Sequence, residues 1–430
     1  MKKLLCLIPI VIAPVLLYAQ NNQEPEALFA DAEYYRMNEE YTEAVPLYQR
    51  LMRRGYDHAH LHYVMGRSYL NIDGRKSRAI DHLKTAAQKT SPDFRAGSLE
   101  EKKAPRDALF YLGKAYQIQN QLDTALHYYN RFLESLDNKK NYNLNFVHQQ
   151  IRSCKKAKSF MQNPLDISWQ NLGVPVNDGF ANTRPVVNAQ ENRLVYTSEL
   201  KLYDAIFMAR KDSGRWNSPV NLAPQIRSEG DLYPCDMSPD GQRMVLFRYE
   251  NSRGNLYLSD YNSETGEWQK PYEPKGRINT RHWETHGCLG PRGNVLYFTS
   301  NRRGGEGKLD IYVSRYNYKE KRWTKPKNLG KKINTPYNEE TPFITRDGTT
   351  LYFSSQGHEG IGGFDVFKST RTPDGDWSEP VNMGYPISTT DDDRFFHPVK
   401  NGRAGYISRY GKDSHGGKDI YRVRIPEEKQ

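Results

Sequence analysis

The stretch ISWQNLGVPVN, residues 167–177, decides how the larger half of this 430-residue chain folds. Much later the chain writes RWTKPKNLGKKINT (322–335) and DWSEPVNMGYPIST (376–389), where the same Trp, Asn and Gly end a longer repeated unit. At residue 167 nothing of that unit comes before. A chain that carries the tail of a repeat ahead of its first full copy has a tail to supply to some other copy.

The full unit is clearest in the fourth copy: NEETPFITRDGTT, LYFSSQ, a Gly-rich turn GHEGIGG, FDVFKSTR, a turn TPDGD, and WSEPVNMG. Four alternating strands are implied, and Asp347-Gly348 and Asp240-Gly241 supply residues suited to tight hairpins. An acidic or amide residue precedes each third strand: Asp204, Asn255, Asp310, Asp365 and Asp419, at spacings of 51, 55, 55 and 54. Five copies follow from this. Trp169, Trp216, Trp268, Trp323 and Trp377 recur at 47, 52, 55 and 54 residues and mark the fourth strands. The fifth copy, DRFFHPVKNGRAGYISRYGKDSHGGKDIYRVRI, stops at its third strand and has no Trp. Its missing strand is the orphan at residue 167. Only a circular array needs that exchange, so the spacing predicts a five-bladed β-propeller over 165–425, closed by an N-terminal outer strand.

The repeated Asp is expected to bond nearby backbone amides and hold the start of the third strand in register, with a calcium site as the sharper alternative. Gly-rich GIGGFD and GGEGKLD join strands and recur by blade, so they read as hairpin geometry.

Ahead of the ring the period is helical. ALFADAEYYRMNEEYTEAVPLYQRL (27–51) set over LHYVMGRSYLNIDGRKSRAIDHLKTA places Ala32 over Gly66 and Tyr35 over Tyr69, 34 residues apart. A third copy, ALFYLGKAYQIQNQLDTALHYYNRFL (108–133), follows an insertion around 91–105. Small residues Ala32, Gly66 and Gly113 are expected to let the first helix of each pair meet Ala44, Ala79 and Ala125 on the second. NFVHQQIRSCKKAKSFM then reads as a capping helix. These residues resemble tetratricopeptide repeats, which implies an α-solenoid over 24–162 with a concave groove for a peptide or partner helix. Tyr34, Tyr63 and Tyr111 are the groove candidates. Asp31 and His62 depart from the repeat pattern, standing where an apolar or aromatic residue is usual.

MKK followed by LLCLIPIVIAPVLLYAQ reads as a signal peptide cleaved after Ala19, too short and wrongly flanked to span a membrane. Cys6 lies within the apolar run, so no lipid anchor is expected. Removal of Lys2 and Lys3 takes the formal charge from +11 to +9. That excess is spread over both halves, and export disfavours nucleic acid as a partner. Mean hydropathy is −0.85 with 30 Tyr, as for many half-exposed strands. Cys154, Cys235 and Cys288 are odd in number and far apart, which argues against a disulfide framework or a CxxC metal site.

SPDG with NLYLSD, DIYVSR, DVFKST and GGKDIY resembles TolB-type, WD40-like propeller repeats. With the helical half, the chain is similar to tetratricopeptide-plus-propeller proteins of Gram-negative envelopes, some in or near the type IX secretion machinery. Longer relatives add a C-terminal OmpA-like domain, which this chain is expected to lack. The resemblance implies a periplasmic scaffold or adaptor for envelope or secretion-machinery proteins, outer-membrane associated through its partners.

No GxSxG, HExxH or GxxxxGK motif is present, so the expectation is a protein that is not an enzyme, without cofactor or metal. The alternative is a sensor or enzyme acting on a peptide or peptidoglycan fragment in the channel. Aligning the innermost strands on their x-Pro step puts Arg184, Tyr233, His286, Thr341 and His397 at one level. Asn182, Asp231, Glu284, Glu339 and Phe395 fall two residues earlier on the same face. These are the expected channel-lining residues.

Overall fold

The computed structural model describes residues 24–250 and 253–426; the expected signal peptide, 1–19, lies outside the described residues. Two compact units are present, divided between Leu144 and Asn145.

In the first unit three helix pairs follow one another: α1 (Pro25–Met37) with α2 (Tyr41–Arg53), α3 (Ala59–Tyr69) with α4 (Ala79–Gln88), and α5 (Asp107–Ile118) with α6 (Leu122–Glu134). The small residues sit where the pairs touch. A Cβ on Gly66 would lie 2.5 Å from Leu83 Cγ, and one on Gly113 2.8 Å from the Tyr129 ring. Ala32, Ala44, Ala79 and Ala125 are fully buried. The insertion is ordered by a short parallel pairing of Thr90–Ser91 with Ala104–Pro105. It carries Phe94 onto His60 and Tyr63, with ring centroids 4.9 and 6.3 Å apart.

The expected capping helix, α7 (Leu144–Gln162), groups with the second unit from Asn145 on. Its residues touch the fourth blade: Gln149 Nε2 donates to the Gln356 carbonyl, Lys156 Nζ lies 2.9 Å from Glu359 Oε2, and the Phe146 and Tyr337 rings are 6.0 Å apart. Its amphipathic spacing was visible in the sequence. The surface it would cover was not.

The rest of the second unit is a five-bladed β-propeller of antiparallel sheets. The innermost strands are Ala181–Val187, Leu232–Met237, Glu284–Leu289, Glu339–Ile344 and His397–Val399, in blades one to five. Each blade packs on the next, and the fifth packs on the first. The orphan segment Ser168–Asn171 is the outer strand of blade five, pairing Trp169 with Val423 and Asn171 with Tyr421. Outer strands elsewhere are short, and in blades one and three they break into one pair of residues carrying Trp and another carrying Asn. The Trp rings close the blade edges: Trp268, Trp323 and Trp377 are buried, and Arg409 stacks 4.5 Å over Trp169.

The repeated Asp does hold turns. Asp310 accepts from the Glu306 and Gly307 amides at 2.6 and 3.0 Å, and Asp365 from Ile361 and Gly362, both at 3.0 Å. Asp204 differs, receiving the Tyr233 hydroxyl at 3.1 Å. A second device lies in the repeated Asn six residues after the outer-strand Asn. Asn177 Oδ1 accepts from Ile420 N at 2.9 Å and its Nδ2 donates to Ile420 O at 3.0 Å, completing the third strand of blade five with a side chain. Asn334 does the same for Ile311, Asn279 for Leu256, and Ser388 for Val366.

Asn177 is fully buried, and an unsatisfied buried donor or acceptor costs about 1–3 kcal/mol. Asn177→Ala should therefore lower propeller stability by about 2–5 kcal/mol in chemical denaturation of the full chain. Asn177→Ser, which copies Ser388, should recover part of it. A loss within experimental error for Asn177→Ala would show that the ring does not depend on this bond pair.

Candidate functional site

The innermost strands contain the same local departure from ideal pairing. Register shifts fall between Thr183 and Val186, Thr285 and Gly287, and Glu340 and Phe343, and opposite Val245 and Leu246 in blade two. Arg184, Thr341 and Phe395 have positive φ of 53°, 50° and 59°. A bulge of this kind re-aims a side chain. It also resets the alignment between blades.

Three tiers result. The first holds Asn182, Asp231, Glu284 and Glu339, together with Asp393 in place of Phe395. These groups cap the turn before their own strand. Glu284 accepts from Thr280 N and Oγ1 at 2.7 and 2.8 Å, Glu339 from Thr335 N and Oγ1 at 2.7 Å each, and Asp393 from Thr389 N and Oγ1 at 2.5 and 2.9 Å. Asn182 Oδ1 accepts from Asp178 N, and Asp231 from the Ser228 hydroxyl. Burial raises Glu339 to about 7. Their polarity is used within the fold.

The second tier fills the axis. The Arg184 guanidinium carbon lies 4.6 Å from the ring centroids of both Tyr233 and Phe395. His286, from blade three, meets Phe395 of blade five edge-on at 5.1 Å, a contact between blades that are not neighbours. Arg394 Nη1 reaches Glu340 Oε2 at 3.4 Å. Burial first, then Arg184 and Arg394, hold His286 well below its ordinary value. Thr341 is buried and donates to Ser354 Oγ at 3.0 Å. The sequence alignment placed His397 in this tier, and the structure puts Phe395 there.

His397 belongs to the third tier, with Asp236, Cys288 and Phe343. Here a narrow funnel of about 50 Å3 opens toward the hairpins that join first and second strands, lined also by Val187, Leu289, Ile344 and Lys400. Three polar groups in its wall tie one blade to the next. His397 Nε2 donates to Val187 O at 3.1 Å, Asp236 Oδ2 accepts from Leu289 N at 2.8 Å, and Cys288 Sγ accepts from Ile344 N at 3.3 Å. Burial lowers His397 to about 4 and raises Asp236 to about 7. The three thiols Cys154, Cys235 and Cys288 are free and buried. Asp236 and Cys288 were missed because each lies in an apolar run; a polar residue facing inward in PCDM and HGCL was the available signal.

On the same hairpin face a cleft runs between blades two and three, and Pro239, Leu289, Pro291 and Arg346 belong to both cleft and funnel. In the helical unit, Tyr34 is 64 % exposed whereas Tyr63 is buried, and Arg67 stacks between Tyr63 and Tyr111 at 5.5 and 4.6 Å. Among the described residues no helix is long and apolar enough to cross a membrane.

No family model and no curated protein matches the sequence. Solved structures similar to the propeller include TolB from Acinetobacter baumannii (17% identity, TM-score 0.38, covering 57% of this chain and 54% of that one). Others are a putative TolB from Agrobacterium tumefaciens (15%, 0.36, 58% and 78%) and the endo-arabinase from Bacteroides thetaiotaomicron (17%, 0.41, 60% and 99%). The chain spans about half the length of the first of these. Such likenesses bear on fold alone. They correct one expectation: a family-43 glycoside hydrolase, the endo-arabinase and a gluconolactonase stand among the similar structures, so the exclusion of an enzyme is withdrawn.

The buried Asp236 gives a signed prediction. A carboxyl raised from about 3.9 to about 7 favours the folded state fully below pH 4, and that contribution is lost as pH rises through 7. Asparagine cannot ionise. The melting temperature of Asp236→Asn minus that of the parent should therefore grow between pH 4 and 7 and level off above about 8. A difference independent of pH would show that Asp236 is not held neutral by burial.

Proposed function

We propose that this chain is an exported adaptor of the cell envelope that binds extended polypeptide on the hairpin face of its propeller. One observation carries the reading: funnel and cleft share a wall and make one concave surface on a single face. The cleft encloses about 860 Å3, toward the upper end of the roughly 300–1,000 Å3 of small-molecule pockets. Because Arg184, His286 and Phe395 fill the axis and the funnel holds only about 50 Å3, a polypeptide lies across the hairpin face and does not thread the ring. We read the helix pairs as tetratricopeptide repeats offering a second surface through Tyr34. The partners are then envelope or secretion-machinery proteins on the periplasmic side, the type IX apparatus among them.

A second reading, the funnel as a seat for a peptidoglycan fragment, is favoured by the His397 Nδ1 at its base, a polar atom without a partner.

A photo-reactive residue replacing Pro291 or Lys400 should cross-link in cells to a discrete envelope polypeptide, and one replacing Val220 or Tyr410 should not. Equal cross-linking from both sets would remove the hairpin face as the binding surface. Cross-links to wall glycan alone would favour the second reading.

A further inference from the structure

The cleft between blades two and three has an unusual distribution of hydrogen-bonding capacity. Its acceptors are used internally. Asp240 Oδ1 accepts from Ser238 Oγ and Gln242 N at 2.6 and 3.0 Å, and Asp260 receives Arg243 at 2.5 Å and the Tyr272 hydroxyl at 2.9 Å. Gln242 Oε1 takes the Ser263 hydroxyl at 3.1 Å, and Gln190 Oε1 the Asn188 amide at 3.0 Å. Arg243 and the Tyr272 hydroxyl donate to Asp260, but its other cationic donors are not used. Lys275, Arg292, Lys321 and Arg346 line the cleft, are exposed, and form no ion pair among the described residues. Tyr318 stands 69 % exposed at the rim, braced edge-on by Tyr316 at 5.3 Å, which itself rests on the buried Trp323 at 5.4 Å. Tyr272 forms a second exposed ring in the same cleft.

From this distribution we propose that the cleft is the docking site of an acidic, extended polypeptide segment that includes aromatic or proline side chains. The proposal rests on the reading of the hairpin face as a polypeptide-binding surface. With Asp260 paired to Arg243, four unpaired cations stand against Asp240 alone, five positive and two negative side chains in all, and the resulting net positive field attracts carboxylates and excludes basic segments. The exposed Tyr rings supply rigid contact area at low entropic cost. An acidic glycan would meet the same cations. Its hydroxyls, however, also need acceptors, and three of the four carboxylate oxygens and both amide oxygens here already accept. A carboxylate-rich peptide presents fewer donors per residue, chiefly its backbone N–H groups, while its carbonyls and carboxylates take the cleft's donors. Phosphate-bearing polymers fit less well, because the four cations are spread along the cleft and not gathered at one point.

The test uses the full chain and a fluorescein-labelled decapeptide of alternating glutamate and tyrosine, followed by anisotropy. Binding should weaken steadily with added salt. Arg292→Glu combined with Arg346→Glu should weaken it at least about tenfold, and Lys321→Glu should weaken it separately, with melting temperatures unchanged because all three side chains are exposed. Pentagalacturonate, which matches the five glutamates in charge, should compete at least about tenfold less well than unlabelled peptide. Parent-like binding by both variants, no binding by the parent, or equal competition by pentagalacturonate would each overturn the proposal. If the peptide ignores the cleft while in-cell cross-links through Pro291 persist, the acidic-segment proposal falls and the polypeptide-binding face stands. Loss of both removes both.

Discussion

Four backbone pairs between Ser168–Asn171 and Asp419–Arg424 hold the propeller shut. They join segments about 250 residues apart, and loop-closure entropy grows only slowly with length, so the separation adds little to the cost of closing the ring. What they prevent is larger. Without them blade five would expose the edge of its third strand, and the first blade would lose the neighbour that Val187 and His397 join. Asn177 reinforces the closure by acting as one more strand position through its side chain. The convergence of inner strands on one axis, and hence the funnel, depends on this pairing.

Closure was legible in the sequence because its signals are local and periodic. Trp169, the Asp-Gly hairpins and the Asp before each third strand depend on neighbours a few residues away. The small residues of the helix pairs are similarly local, and Gly66 and Gly113 sit where a Cβ would collide. The inner-strand tiers were less legible. A bulge adds one residue without changing composition, so the step in HPVK of blade five looked equivalent to RPVV of blade one. The structure matches Phe395, not His397, to Arg184, since Phe395 shares its positive φ. The burial of Tyr63 under Phe94 was also invisible, because an insertion without repeat pattern gives no sign of where it lies.

The same physics explains why most polar residues near the axis are structural. A buried carboxylate without partners is costly, and the inward-facing acids here receive amides or hydroxyls from their own turn or the next blade, or, for Glu340, the Arg394 guanidinium. Glu284 adds Ser300 and Arg302, and Asp236 takes Leu289 N. Such groups can be polar, inward-facing and regularly spaced and still be spent on holding blades in place. Position on the innermost strand is therefore a weak guide to ligand contact in this ring.

Unspent capacity at the surface is the better guide, and it separates the two ends of the propeller, because the unpartnered Arg184 Nη1 and His286 Nδ1 of the axis are buried. At the end where inner strands begin, Asn182, Glu284, Glu339 and Asp393 are saturated by turn amides, and Arg184 is covered on both sides by aromatic rings. At the hairpin end, Asp240 and Asp260 are likewise satisfied from within, yet Arg292 and Arg346 project from hairpin tips where the fold asks only for a turn. A hairpin tip tolerates nearly any side chain, so cations grouped there around exposed Tyr318 are not required by folding. The scaffold thus leaves one face chemically unfinished, with donors and ring surfaces available and acceptors withheld, and that asymmetry is what gives the face a preference for anionic partners.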